Sequence, residues 1–397
     1  MNELSPSVLI LGTRGIPAAH GGFETFAERL ALFLVARGWT VGVYCQKDVD
    51  RVENRVSVTR WSGIDLIHVE VASRGPKATL EFDGRCVLDA ARRGGVCLVL
   101  GYNGALFLPL LRLFGRTIMT NMDGIEWRRP KWSWPVRAWF WVNEWIAAWT
   151  SHRLVADHPA IADHLATRRS RDAILTIPYG GDPVRSTSPA PIRALGLVPG
   201  GYMVSIARIE PDNSILEIVQ AFSRERRGAR LVVLGKLDDA VPYHAAVRAA
   251  ASDEVMFAGP IYHAGTVQAL RYHARAYLHG HTVGGTNPSL VEALWAGNAV
   301  IAHDNPYNRA TAGDGQAFFD GVDACARAIA ALLSDDERRE RARQAAFAQA
   351  SLFDWPTILE AYETALLSLG GHAWSAAACG DEAAAVPAAV CRTGSDG

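Results

Sequence analysis

A glycine pair, a helix start and two cations make up the most pointed chemistry in this sequence. Residues 281–297 read His-Thr-Val-Gly-Gly-Thr-Asn-Pro-Ser-Leu-Val-Glu-Ala-Leu-Trp-Ala-Gly. Tyr277 and Leu278 close an apolar strand, Gly284 and Gly285 admit dihedrals that a side chain forbids, and Asn287 with Pro288 fits an N-cap and first helical position. The helix expected from there to about Ala296 starts with amides, those of Ser289 and Leu290 among them, that lack an intrahelical acceptor. With the helix dipole they favour phosphate. Glu292, one turn in, can accept hydrogen bonds from hydroxyls on whatever carries that phosphate. Arg208 and Lys236 each follow an apolar run expected as a strand, on the face where this helix begins, and two fixed cations there suit a diphosphate. Taken singly, the same pieces also fit an ordinary strand-to-helix turn and solvated strand-end cations.

A second such turn lies near the N-terminus. The apolar run Ser7 to Leu11 leads into Gly-Thr-Arg-Gly-Ile-Pro (12–17) and His-Gly-Gly-Phe-Glu-Thr (20–25). Phe26, Leu30, Phe33 and Leu34 recur at helical spacing before Gly38, and Thr40 to Cys45 reads as the next strand. Gly12 and Gly15 are wrongly spaced for a dinucleotide fingerprint, so a nicotinamide cofactor is disfavoured. Further strands are expected at Ile64 to Val71, Val96 to Leu100, Thr117 to Asn121 and Arg153 to Ala156. The segments after them, Tyr102-Asn103-Gly104, Met122 to Glu126 and His158, should line one crevice of a doubly wound sheet. Asp123 and Glu126 are its candidate ionisable residues, though either would serve equally as a helix cap. Asp48-Val49-Asp50 has the spelling of a metal-binding D-x-D but reads as a solvated turn.

The elements that must position these residues set the architecture. A chain of 397 residues exceeds one ordinary core, and the turn cluster at 177–183, followed by a Ser/Pro-rich stretch to Pro191, marks the boundary. A second βα series follows, with strands at about 202–207, 230–234, 255–257, 277–278 and 299–303. The expected fold class is therefore α/β, with two Rossmann-like doubly wound domains. The domains are expected at 1–184 and 185–354, with a last helix at 355–370 and an Ala/Gly-rich tail at 371–397 expected to be disordered. With 49% hydrophobic residues, 20% charged and a net charge of -1, nothing pulls the chain toward nucleic acid. The six cysteines form no metal spacing, no signal-peptide pattern opens the chain, and no apolar run is long enough to span a bilayer. A cytoplasmic location is expected.

Seven of the twelve tryptophans fall between Trp127 and Trp149, interleaved with Arg128, Arg129, Lys131 and Arg137. Trp141, Trp145 and Trp149 share one helical face and read as domain core. Trp132, Trp134 and Trp139 alternate with cations, the pattern of a segment lying at a lipid interface. The 127–149 segment is thus a candidate contact with an anionic membrane surface.

Three motifs together carry a resemblance: residues 12–17 with 20–25, Arg-Ile-Glu-Pro at 208–211, and residues 281–293. From about residue 7 to 370 the chain resembles a retaining glycosyltransferase of the GT-B fold, family 4-like, and within it the bacterial rhamnosyltransferase-like subgroup of polysaccharide assembly. The resemblance implies a nucleotide-sugar donor in the C-terminal domain, an acceptor mostly in the N-terminal domain, and a last helix crossing back to the first domain. It implies that Arg208 binds the donor diphosphate, that Glu292 binds the ribose and that the amides after Pro288, those of Ser289 and Leu290, bind the phosphates; Gly285, Thr286 and Asn287 are further donor-binding candidates, and on the residues' own chemistry Lys236 adds charge. Gly21 and Gly22 fall at the phosphate edge across the cleft, and Asp123 falls where many relatives carry an active-site histidine near the transferred sugar. Glu24, Asn103 and Glu126 are the acceptor-side candidates. No metal and no cofactor beyond the donor substrate are expected. Two departures stand out: Gly284 takes the place of the first of two family glutamates, and Asn213 that of a basic residue. The expected reaction moves a hexose or 6-deoxyhexose, rhamnose from a dTDP donor being the leading case, to a lipid-linked saccharide. A nucleotide-sugar 2-epimerase and a non-catalytic sugar-nucleotide-binding scaffold are the alternatives.

Overall fold

In the computed structural model, residues 5–18, 21–53, 56–129 and 131–370 are described. The expected tail and His20 of the second motif lie outside them. The chain divides into two compact units. Of the described residues, one unit comprises 5–123, 134–177 and 356–370, and the other comprises those within 124–133 and 178–355.

The first unit is built on β1 (Ser7–Leu11), β2 (Thr40–Asp48), β3 (Val56–Trp61), β4 (Ile64–Val71), β5 (Val96–Leu100), β6 (Thr117–Asn121), β7 (Arg153–Ala156) and β8 (Ile174–Thr176). They form one sheet in the order β3-β4-β2-β1-β5-β6-β7-β8. Every pairing is parallel except that of β3 with β4. Val8, Ile10, Val43, Leu98 and Met119 are buried in these strands, as an apolar run covered on both faces requires. β3 and β8 were not read from the sequence. β3 is an edge strand whose side chains are largely exposed, so it carries little of the apolar signal that marks its neighbours.

The second unit holds β9 (Tyr202–Ile206), β10 (Arg230–Leu234), β11 (Val255–Gly259), β12 (Ala276–His279), β13 (Val300–His303) and β14 (Ala317–Phe319). Its sheet runs β11-β10-β9-β12-β13-β14, parallel throughout. Two apolar layers cover it, one centred on Leu290, Leu294 and Tyr277, the other on Ile218, Phe222 and Ile329.

Two segments depart from the expected boundaries. The first unit's span closes at Ile177, and residues from Pro178 belong with the second unit because they pack there. Gly181 donates its amide to Phe353 O at 2.8 Å, and Val184 donates to Trp295 O at 3.2 Å. A Cβ on Gly180 would stand 2.5 Å from the Trp355 ring, so the glycine is what lets the two approach. The second departure is Gly124–Ser133, which lies in the middle of the N-terminal sequence yet clusters with the second unit.

The last helix, Trp355–Gly370, joins the first unit from residue 356. Asn121 donates to the Tyr362 hydroxyl at 2.7 Å, the Phe26 and Tyr362 rings lie 4.6 Å apart, and Glu363 takes both the Trp39 indole at 3.0 Å and Arg37 at 3.1 Å. No helix among the described residues is long and apolar enough to cross a membrane.

Candidate functional site

In an open parallel sheet, ligands gather where strand order reverses, beyond the carboxyl ends of the strands. In the second unit that point falls between β9 and β12, with β10 alongside. The register Leu234↔Ile206 carries Lys236 level with Arg208, and Tyr277↔Val204 carries His281 to the same level. Arg208, Lys236 and the turn after β12 therefore share one edge of the sheet because their strands are in register. Arg208 reaches outward, its side chain 68% exposed, with Glu210 3.5 Å away; Lys236 is also exposed.

The turn itself is held from below. Thr282 donates its amide to Asp212 O at 2.8 Å and its hydroxyl to the same oxygen at 3.1 Å. Gly284 sits at φ 135°, and among the described residues no atom lies within 4 Å of where its Cβ would be, so the position of the missing family glutamate faces open space. Asn287 caps the helix Pro288–Trp295 as expected, accepting the Ser289 amide at 3.0 Å.

That cap corrects the phosphate assignment for two residues. The Ser289 amide is satisfied by the Asn287 side chain, and the Leu290 amide donates to Asn287 O at 3.0 Å. Neither is left for a ligand. Thr286 and Leu290 are buried as well. Gly285 and the outer carboxylate of Glu292 remain the presented part of the set. The reason is local: an asparagine that caps well consumes the very donors the bare helix end would have offered.

Glu292 is oriented by a residue the sequence reading missed. Arg271, buried on the preceding helix, reaches Glu292 Oε2 at 2.6 Å and donates to Ser289 Oγ at 3.1 Å. Ser289 Oγ also meets the Tyr277 hydroxyl at 2.6 Å. A chain of polar contacts thus fixes the helix start to β12. Nothing in the sequence marks Arg271, since the helix places it without any motif.

His281 is the second missed residue. Its ring stacks on His279 at 4.4 Å and 12°. Burial first, then the charges of Arg129 and Arg208, push its pKa down to about 3. His281 is thus a neutral ring beside two guanidinium groups. Asn213, the other family departure, is buried and donates to Arg208 O at 2.7 Å, holding the loop that carries the arginine.

Glu126 is misplaced by the sequence reading: its segment belongs to the second unit. Its carboxylate takes Arg129 at 2.6 Å and the Trp132 indole at 3.4 Å. Arg129 continues to Asp212 at 4.0 Å, and Lys131 pairs with Glu210 at 3.3 Å. Glu126 is therefore a brace for this segment beside Arg208 and not an acceptor-side group of the first unit. Asp123, at the end of the first unit's span, has φ 52°, strained for a residue with a side chain, and takes its amide to Asn121 Oδ1 at 2.9 Å.

The first unit has its own switch point, between β1 and β5, and a cavity of about 240 Å³ opens there. Gly12, Arg14, Glu24 and Asn103 line it, which unites two of the acceptor-side candidates. Asp83 also lines it, a third residue missed from the sequence. A Cβ on Gly104 would stand 2.3 Å from Asp83 Oδ2, so the bare glycine makes room for the carboxyl, and burial pushes its pKa up to about 7. Glu24 turns back on its own helix, accepting the Arg14 amide at 3.2 Å with its other oxygen against Gly21. That carboxylate complements the positive pole at Gly21 and Gly22, where a phosphate was expected.

The tryptophan segment is rearranged too. Trp132 and its cations are tied into the second unit, with Lys131 4.9 Å over the Trp132 ring, and the Trp139 indole donates to Asn103 O at 3.1 Å. Trp141 and Trp149, expected in the core, are exposed.

Two Rossmann-like units, each with its own switch point beyond the strand ends, make up the GT-B fold. Residues 198–349 match the family described as Glycosyl transferases group 1, and residues 5–182 match a domain of unknown function, DUF1972. The group 1 match lies wholly within the second unit. Among solved structures, sucrose-phosphate synthase from Thermosynechococcus elongatus is 16% identical, with 93% of this chain and 100% of that one covered at a TM-score of 0.71. The α,α-trehalose 6-phosphate synthase of Burkholderia multivorans is 13% identical, covering 96% and 100%, at 0.73. Anabaena Alr3699/HepE, solved in complex with UDP, is 14% identical, covering 92% and 100%, at 0.68. No curated protein matches the chain.

Proposed function

We propose that this glycosyltransferase takes a sugar from a nucleoside diphosphate and transfers it with retention to a lipid-linked saccharide, in cell-surface polysaccharide synthesis. Rhamnose from a dTDP donor is the leading case, and the acceptor lipid is membrane-borne. The observation that carries the reading is Arg208: an exposed guanidinium at the switch point, level with Lys236, beside a glycine turn and a fixed Glu292. UDP in the HepE structure supports a nucleoside diphosphate as the leaving group.

In the proposed step the bond from the anomeric carbon to the diphosphate oxygen breaks, and the acceptor oxygen bonds the same carbon on the same face. The acceptor proton passes to a donor phosphate oxygen, so no protein base is required. Arg208 and Lys236 act by stabilising negative charge as it collects on the leaving diphosphate. Glu292, held by Arg271, accepts hydrogen bonds from the ribose. The cavity bounded by Glu24, Asn103 and Asp83 takes a sugar of the acceptor. The transfer is metal-independent in this reading.

The test is thermal stability against dTDP, UDP, GDP and NAD at equal concentration. A nucleotide at about 100 times its dissociation constant stabilises by about 2.7 kcal/mol. A shift with one nucleoside diphosphate and none with NAD supports the reading and selects the donor. No shift with any diphosphate refutes it.

A further inference from the structure

The helix α1 (Trp134–Thr150) leaves one of its faces uncovered. Trp134 is 79% exposed and Trp149 68%, with Trp141 and Val142 also exposed between them. Their spacings of seven, eight and again seven or eight residues keep them on one stripe. The neighbouring helix Leu108–Leu113 carries exposed apolar side chains of its own: Leu113 is 81% exposed, and Phe114 and, just before the helix, Leu106 are exposed too. Two contacts set the helices side by side. Leu106 donates its amide to Asn143 Oδ1 at 2.8 Å, and the Arg112 guanidinium meets the His152 ring. An apolar surface of this kind, on aromatic and branched side chains, is what a monomer in water rarely presents.

Its C-terminal end carries a cluster of like charge. Arg169 donates to Ala148 O at 2.8 Å, and Arg153 donates to Asp172 O at 2.6 Å. Burial first, then repulsion from Arg112 and Arg153, lowers the pKa of Arg169. Among the described residues none of the three forms an ion pair with a carboxylate.

We propose that this two-helix face docks on an anionic lipid bilayer, its tryptophans and Leu113-Phe114 entering the headgroup–acyl boundary and Arg112, Arg153 and Arg169 facing lipid phosphates. Tryptophan suits that boundary because the ring is apolar and its N–H polar. The unneutralised cluster supplies the complementary charge. This deepens the membrane-borne acceptor of the proposed function and rests on that reading for its purpose only. The assay below contains no nucleotide, so its failure and a failed nucleotide shift are separate results.

The full chain is sedimented with phosphatidylcholine vesicles, with and without phosphatidylglycerol, at low and high salt, and tryptophan emission is recorded. Binding to the phosphatidylglycerol vesicles alone, weakened by salt and accompanied by a blue shift, is expected. A Leu113→Ser, Phe114→Ser, Trp149→Ser variant should lose at least tenfold in partitioning on the phosphatidylglycerol vesicles. An Arg112→Gln, Arg153→Gln variant should lose the preference for phosphatidylglycerol. Circular dichroism and the nucleotide shift should be unchanged in both, and these positions tolerate it because they are exposed or half-buried. No wild-type binding at low salt overturns the proposal, as does wild-type partitioning by the folded triple variant. Concentration-dependent self-association that the triple variant abolishes, without vesicle binding, also overturns it by assigning the face to a second copy of the chain.

Discussion

Arg271 and Glu292 form an ion pair of 2.6 Å in which the cation is buried and the carboxylate is 42% exposed. The asymmetry separates their roles. One residue is structure, and the other is the end of that structure shown to solvent. Removing Arg271 by Arg271→Leu deletes the contacts that hold Ser289 and Glu292, and should lower both thermal stability and donor affinity. Glu292→Gln keeps a hydrogen-bond acceptor for the arginine, so its stability loss should stay within about 1–2 kcal/mol. Its donor KM should still rise. Melting temperature and donor KM measured on both variants distinguish the two outcomes.

Arg208→Ala should reduce kcat/KM for the donor by roughly 10²–10³-fold, the usual loss of one charge-stabilising donor. Its melting temperature should hardly move, because the side chain is 68% exposed. A large drop in melting temperature would instead make Arg208 a structural residue.

Gly12 and Gly38 share a left-handed backbone, φ 83° and 85°, but not their surroundings. A Cβ on Gly12 would stand 2.1 Å from Leu100 O, whereas none of the described atoms lies within 4 Å of one on Gly38. Gly38→Ala should therefore cost about 1 kcal/mol of backbone strain. Gly12→Ala should cost about 3 kcal/mol or more, because β1 and β5 must part. Denaturant midpoints of the two variants read the steric part directly.

The buried histidines make acid sensitivity a property of the second unit. The pKa of His281 is about 3 in the folded chain against 6.5 ordinarily, and that of His279 is also well lowered, burial leading in both. The unfolded chain binds more protons between these values, so stability is present above about 6.5 and is lost as pH falls toward 3. His281→Gln should flatten that slope in a series of melting temperatures across the window.

Asp83 has the opposite sign. Its pKa is raised by burial to about 7 from 3.8, so the folded chain holds the extra proton, and stability declines as pH rises from about 4 through 7. Asp83→Asn removes this decline. The variant should gain on the parent across that window, and an unchanged gap would mean that the carboxyl is not desolvated.

Much of the site was legible because its signals are local. The Asn287-Pro288 helix start and Gly284 stand where expected, and Arg208 and Lys236 follow their strands, since capping and strand termination depend on a few adjacent residues. Arg271, His281 and Asp83 were not legible as site residues. Each is assigned by what packs around it, and nothing in its own neighbourhood of sequence predicts those partners. Ser289 and Leu290 illustrate the converse, for the local rule was right and its consequence wrong: the cap that starts the helix takes up the amides.

The alternation of apolar runs and amphipathic helices, with glycine at their joints, determined two α/β sheets of mainly parallel strands, because burying both faces of a strand demands a nearly continuous apolar run. Sheet order and partition were decided only by the tertiary structure. The reversal between β9 and β12 brings Arg208 beside a turn more than seventy residues away, and ion pairs from Arg129 and Lys131 assign Gly124–Ser133 to the second unit. Trp149 is left in solvent for the same reason: helical period says which residues share a face, and only the neighbouring elements say whether that face is covered.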